Sequence, residues 1–123
     1  MFKLKVTNHF SAAHKLEGYD GDCCNLHGHN WKVQVGILCS EQDDIGLTID
    51  FREVKRVLKE AIDTVDHKYL NDLDFFDGRN PTSEELARYF YLRLTSVFKN
   101  MGCKVSEVEV WESDNTSVVY FEE

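Results

Sequence analysis

Apolar and polar residues alternate from Phe2 to His14. The even positions Phe2, Leu4, Val6, Phe10 and Ala12 are apolar, and Lys3, Lys5 and Thr7 stand between them. Strand side chains point alternately to the two faces of a sheet, so this period of two predicts a half-buried strand with His14 on its apolar side. After a polar stretch containing Gly18, Asp20, Gly21 and Asp22 the pattern returns, with Trp31, Val33, Val35 and Ile37 opposed by Asn30, Lys32 and Gln34. His27 and His29 share the parity of that apolar set.

The period then changes. Asp50 and Glu53 form a capping-box pattern, and Phe51, Val54, Leu58, Ala61, Ile62 and Val65 mark one face of a helix. The device is repeated in Asn80-Pro81-Thr82-Ser83-Glu84-Glu85, with Thr82 as the expected N-cap, ahead of Leu86, Phe90, Leu94, Val97 and Phe98. This second helix should end near Gly102. Alternation resumes over residues 105–112, Asp114-Asn115 supplies a turn, and residues 118–121 form the last expected strand.

The order ββααββ predicts an α+β fold, one domain over residues 1–123, with a four-stranded antiparallel sheet covered on one face by two helices. Lys3, Lys5, Thr7, Lys32, Gln34, Glu107 and Glu109 fall on the other face, which can meet water or line a tunnel. Two unpaired sheet edges call for protection, and pairing them between copies predicts a homo-oligomer.

Composition narrows the function. Fourteen basic against 22 acidic residues in 123 give a formal charge of −8, which argues against a general nucleic-acid binder. No run approaches the roughly 18 to 20 apolar residues of a membrane span, and residues 1–7 lack a secretory leader's apolar run. A soluble, cytoplasmic protein with no membrane partner is expected. Cys23, Cys24, Cys39 and Cys103 contain no C-x-x-C pair, and all four are expected to be reduced thiols.

The histidines carry the chemistry. Residues i and i+2 of a strand face one side, so His27 and His29 can direct both imidazoles at one ion, and His14 is the natural third ligand. Three neutral imidazoles leave one position of a tetrahedral zinc open, the arrangement of catalytic rather than scaffolding sites. Gly28 between two of them allows close backbone approach. His9 has the other parity and is read as a surface or structural residue. His-x-His spacing is also used by iron dioxygenases, so a three-histidine iron centre stays open at this point, as does a non-catalytic zinc-stabilised domain.

Other side chains fit around such an ion. Cys23 and Cys24 precede the histidine pair, where a dication favours thiolate, and either can act as nucleophile, base or fourth ligand. Asp66-His67 offers a carboxylate beside an imidazole able to shuttle protons. Glu112 shares the parity of Val108 and Val110, which aims a carboxylate at the apolar side, where it needs a cationic side chain or a ligand with paired N–H donors.

Taken together, Phe10-Ser11-Ala12-Ala13-His14, Cys23-x-x-x-His27-Gly28-His29, Asp66-His67, Pro81-Thr82-Ser83-Glu84 and Glu112-Ser113 resemble the 6-pyruvoyltetrahydropterin synthase family over nearly the whole chain. The resemblance implies the tunnelling fold (T-fold), zinc on His14, His27 and His29, and a hexamer of two trimeric barrels with sites between subunits. It further implies Cys23 as the proton-abstracting group, Asp66 and His67 as the proton-returning pair, and Glu112 gripping a pterin with Thr82 or Ser83 nearby. Lys15, with Arg52 and Lys68, would meet a triphosphate. Three residues between Cys23 and His27 resemble the branch that makes 6-carboxy-5,6,7,8-tetrahydropterin for queuosine from 7,8-dihydroneopterin triphosphate, releasing triphosphate and acetaldehyde. A 6-pyruvoyl product is the alternative. Cys24 departs from the commoner family pattern, in which a small or polar residue follows the catalytic cysteine.

Overall fold

The computed structural model describes residues 1–18 and 24–123. Strand β1 (Phe2–His14) and strand β2 (His27–Cys39) form a long antiparallel pair in the register Phe10↔Trp31 and His14↔His27. Helix α1 (Phe51–Asp63) follows, then strand β3 (Lys68–Tyr69), two 3-10 turns, helix α2 (Ser83–Phe98), strand β4 (Lys104–Ser113) and strand β5 (Thr116–Tyr120). The sheet order is β3-β1-β2-β4-β5, antiparallel except for β3, which runs parallel to β1 at Ala12 and Ala13. The expected four strands are thus joined by a fifth. At two residues it is too short to show a hydrophobic period.

The alternation read from the sequence is the alternation of burial. Trp31, Val33, Val35 and Ile37 of β2 are fully buried, and they meet Val105, Val108 and Val110 of β4 and the inner faces of both helices. Val54, Val57, Leu58, Ala61 and Ile62 of α1 and Leu86, Phe90, Leu94 and Phe98 of α2 complete the core. Each buried valine, leucine, isoleucine or phenylalanine among them contributes about 1.5–3 kcal/mol by leaving water. Trp31 also satisfies its indole N–H, which donates to Ala12 O at 3.2 Å.

Both helix starts are capped as their sequences require. Thr82 Oγ1 accepts from Glu85 N at 3.2 Å, and Asp50 Oδ1 accepts from Arg52 N at 2.8 Å. Glu53 does not close the expected box around Asp50: its carboxylate pairs with Arg56 instead. At the far end of the second helical segment Gly102 takes the left-handed conformation, φ 76°, that glycine adopts without a steric penalty.

The polar sheet face carries its own fastening. Ser106 is an extra residue in β4 opposite Gly36, and Glu107 Oε1 reaches back across β2 to Lys3 Nζ at 2.6 Å. A Cβ on Gly36 would lie 2.9 Å from that carboxylate oxygen, so the missing side chain is what lets the carboxylate through.

The expectation of four reduced thiols is corrected at one pair. Cys39 and Cys103 form a disulfide, Cα–Cα 4.9 Å. The β2/β4 register, with Leu38 opposite Lys104, sets the two cysteines beside each other at the end of the sheet. Separated by 64 residues, they meet only through strand pairing, which a search for short cysteine spacings does not see.

Candidate metal centre

His14 and His27 face each other as the last and first residues of paired strands, and His29 follows on the same side of β2. The alternation that builds the core therefore also gathers the imidazoles. His14 is 1% exposed, and its ring lies edge-on to His27, His29 and Trp31 at centroid separations of 4.5, 5.1 and 5.1 Å.

Two backbone carbonyls set the tautomers. His14 Nδ1 donates to Pro81 O at 2.8 Å and His27 Nδ1 donates to Asn25 O at 2.7 Å. With the proton on Nδ1, each Nε2 carries a lone pair, and these two atoms stand 2.9 Å apart. Burial pushes His14 and His29 below the ordinary imidazole pKa, so the neutral forms are favoured. Two neutral rings pointing lone pairs at one another repel unless a cation lies between them.

Glu112 completes the cluster. Its Oε1 is 2.8 Å from His29 Nε2 and 3.9 Å from His14 Nε2, and its Oε2 accepts from Ser83 Oγ at 3.1 Å. His29 Nε2 is buried and makes no properly directed hydrogen bond, despite the short distance to the carboxylate. The ligand atoms of His14, His27, His29 and Glu112 all lie within 4.8 Å of one another. A tetrahedral zinc with bonds of about 2.0–2.1 Å sets its donors about 3.3 Å apart, so small movements of these side chains suffice. The donor set, the tautomers and the orphaned nitrogen all fit a divalent metal.

Asp66 and His67 are fastened to β1 at Ser11. Adjacent side chains on a regular element diverge, but His67 takes a left-handed φ of 58°, and the bend brings its Nδ1 to 2.9 Å from Asp66 Oδ1. The same Oδ1 accepts from Ser11 N at 2.9 Å, while His67 N donates to Ser11 O at 2.6 Å. The Ser11 amide, and then the imidazole, hold the Asp66 carboxyl below its usual range. His67 is exposed. A cleft of about 510 Å3 is lined by Ser11, Ala13, Gly28 and Asn30 together with His67 and Lys68, on the face of β1 and β2 opposite to the one that carries the histidine cluster.

The remaining expected residues are placed as follows. Cys23 lies outside the described residues; Cys24 is half-buried. Thr82 spends its hydroxyl on the helix cap, and Ser83, buried in the first turn of α2, holds Glu112. Lys68 lines the cleft, whereas Arg52 is turned onto Asp50, with Nη2 2.8 Å from Oδ2. Lys15 is exposed, and its backbone N–H and C=O are both taken by the Asn71 side chain, at 3.0 and 2.8 Å.

Asn80 repeats this arrangement two residues on, accepting from Glu17 N at 2.9 Å and donating to Glu17 O at 2.8 Å. Side-chain amides thus stand in for a partner strand just after β1 ends. Sequence reasoning did not find Asn71, Asn80 or the orienting carbonyls of Pro81 and Asn25. Only Asn80-Pro81 carried a signal, as the start of a helix.

The chain is matched by a known family over nearly its full length. The profile described as 6-pyruvoyl tetrahydropterin synthase covers residues 3–123. The 6-carboxy-5,6,7,8-tetrahydropterin synthase of Haemophilus influenzae is 31% identical, covering 99% of this chain and all of that protein. The 6-pyruvoyl tetrahydrobiopterin synthase of Dictyostelium discoideum is 36% identical over 81% of this chain and 73% of its own length. Among solved structures, the 6-pyruvoyl tetrahydropterin synthase of Caenorhabditis elegans superposes with a TM-score of 0.88 at 30% identity, covering 99% of this chain and 96% of the other. That likeness identifies the α+β arrangement as the T-fold. No helix among the described residues is long and apolar enough to cross a membrane.

Proposed function

The chain belongs to the 6-pyruvoyl tetrahydropterin synthase family, and on that premise we propose that it is a zinc enzyme converting 7,8-dihydroneopterin triphosphate and water to 6-carboxy-5,6,7,8-tetrahydropterin, triphosphate and acetaldehyde, in queuosine biosynthesis. The observation that carries this reading is the convergence of the His14, His27 and His29 nitrogens with the Glu112 carboxylate in a group able to hold a metal ion. The three residues between Cys23 and His27, and the full-length match to a 6-carboxytetrahydropterin synthase, favour the carboxy product over the pyruvoyl one.

In this reading His14, His27 and His29 hold the metal, with Pro81 and Asn25 fixing two of the rings in the ligating tautomer. Bound zinc supplies a Lewis acid that lowers the pKa of the substrate's side-chain hydroxyls. Cys23 removes a proton from the substrate side chain. Asp66, ionised and held by the Ser11 amide, keeps the His67 proton on Nδ1 and leaves Nε2 to exchange a proton with the substrate. Glu112 receives the pterin's paired N–H groups, steadied by Ser83, with Thr82 adjacent. Lys68 and Lys15 attract the triphosphate.

We place the enzyme in the cytoplasm as one domain of 123 residues and as a homo-hexamer of two trimers, supported by its unpaired sheet edges. Cys39–Cys103 joins the opposite end of β2 from His27, so the proposed chemistry is the same in either redox state. The test is incubation of the zinc-loaded protein with 7,8-dihydroneopterin triphosphate, with products identified by mass spectrometry and an acetaldehyde assay. Acetaldehyde with the 6-carboxy product is expected. A pyruvoyl product moves the protein to the biopterin branch, and no turnover with metal bound rejects the enzyme reading.

A further inference from the structure

Glu112 faces histidine nitrogens from two sides of the cluster, and among the described residues no arginine or lysine is paired with it. One oxygen is tied to the buried Ser83 hydroxyl and the other points into the imidazoles. If that second oxygen were only the acceptor of a His29 N–H it would lie along the ring's N–H axis, yet His29 Nε2 has no directed partner. Carboxylate oxygen and ring nitrogens instead gather within 4.8 Å of one another, as donors to one cation do.

We propose that Glu112 occupies the fourth position of the metal in the substrate-free protein and releases it to bind the pterin, so that substrate binding itself opens the centre. The pterin half of this rests on the proposed function. One carboxylate cannot satisfy the ion and the pterin N–H pair together, so arrival of the pterin and vacancy of the fourth position are a single exchange. Ser83 keeps the carboxylate within reach of both partners. The histidines alone hold the metal during turnover, and Glu112 shields it from other ligands between turnovers.

Cobalt(II) in place of zinc makes the exchange visible, because its absorption bands report the number and type of donors. Wild-type protein is compared with Glu112→Ala and Glu112→Gln, the second keeping side-chain shape and an amide oxygen for Ser83. Both variants are expected to show shifted bands, and zinc competition should show at least the roughly 10-fold weaker binding that follows loss of a supporting metal contact. Saturating neopterin, an unphosphorylated pterin, should move the wild-type bands. Wild-type bands in both variants, or bands that neopterin binding leaves unchanged, overturn the proposal. Turnover of 7,8-dihydroneopterin triphosphate is scored separately: its failure with the cobalt results intact rejects the reaction and not the exchange.

Discussion

His14 Nε2 and His27 Nε2 stand 2.9 Å apart while the opposite nitrogen of each ring is held by a carbonyl, from Pro81 and Asn25. Neither ring can turn its proton toward the other without losing that bond, so the pair is preset for a shared cation. Zinc at about 100 times its Kd should therefore stabilise the fold by about 2.7 kcal/mol, read as the shift in urea unfolding between zinc and a chelator. No shift would remove the metal assignment.

Without metal, the same rings make stability depend on pH in a definite direction. Burial holds His14 and His29 below 6.5, the value expected of the unfolded chain, so the unfolded state binds protons first as pH falls. Their contribution is present in full above about pH 6.5 and is lost as pH drops from there toward the folded values. Urea midpoints of metal-free protein should fall between about pH 7.5 and about pH 5.5, and less so in His14→Gln.

His67 combines a left-handed backbone with a side chain on Asp66. Asparagine tolerates that φ, so His67→Asn should leave stability within about 0.5 kcal/mol while turnover falls about 10²–10⁴-fold. His67→Val, β-branched, should lose about 1–3 kcal/mol of stability as well. Full activity in His67→Asn would remove the proton-transfer role.

Asn71 and Asn80 each close both backbone groups of one residue beyond β1. Alanine at either position removes two hydrogen bonds at a partly exposed site, with an expected cost of about 1–2 kcal/mol in thermal or urea unfolding. Aspartate keeps the acceptor only and should fall between.

Removal of the Cys39–Cys103 link by paired serine substitution should cost about 2–4 kcal/mol, in keeping with the long loop it closes. Turnover of the folded variant should match wild type. Mass determination before and after alkylation, without reductant, checks that the bond is present in the purified protein.

The residues that alternate cleanly were the legible ones. Val33, Val35 and Ile37 declared β2, and the same parity put His27, His29 and Glu112 on the inner side, where the structure brings them together with His14. The partner of Glu112 was open in the sequence, since parity names a face and not a neighbour. Strand β3 and the Asp66–His67 contact depend on one positive φ, for which an isolated histidine gives no local sign. The asparagine clamps and the disulfide depend on which segments lie side by side, a consequence of strand register. Asp50 illustrates the remaining kind of miss: its capping role was readable, but Arg56 competed for Glu53.

Trp31 is fully buried, its ring edge-on to His14 at 5.1 Å and to His29 at 5.3 Å, whereas Trp111 lies under Lys32. The centre therefore carries its own optical reporter. Light absorbed by the Trp31 indole is emitted within a few atoms of the bound ion, and a coloured or paramagnetic metal there quenches it. Occupancy becomes readable by fluorescence without a label, with Trp111 left as an internal reference.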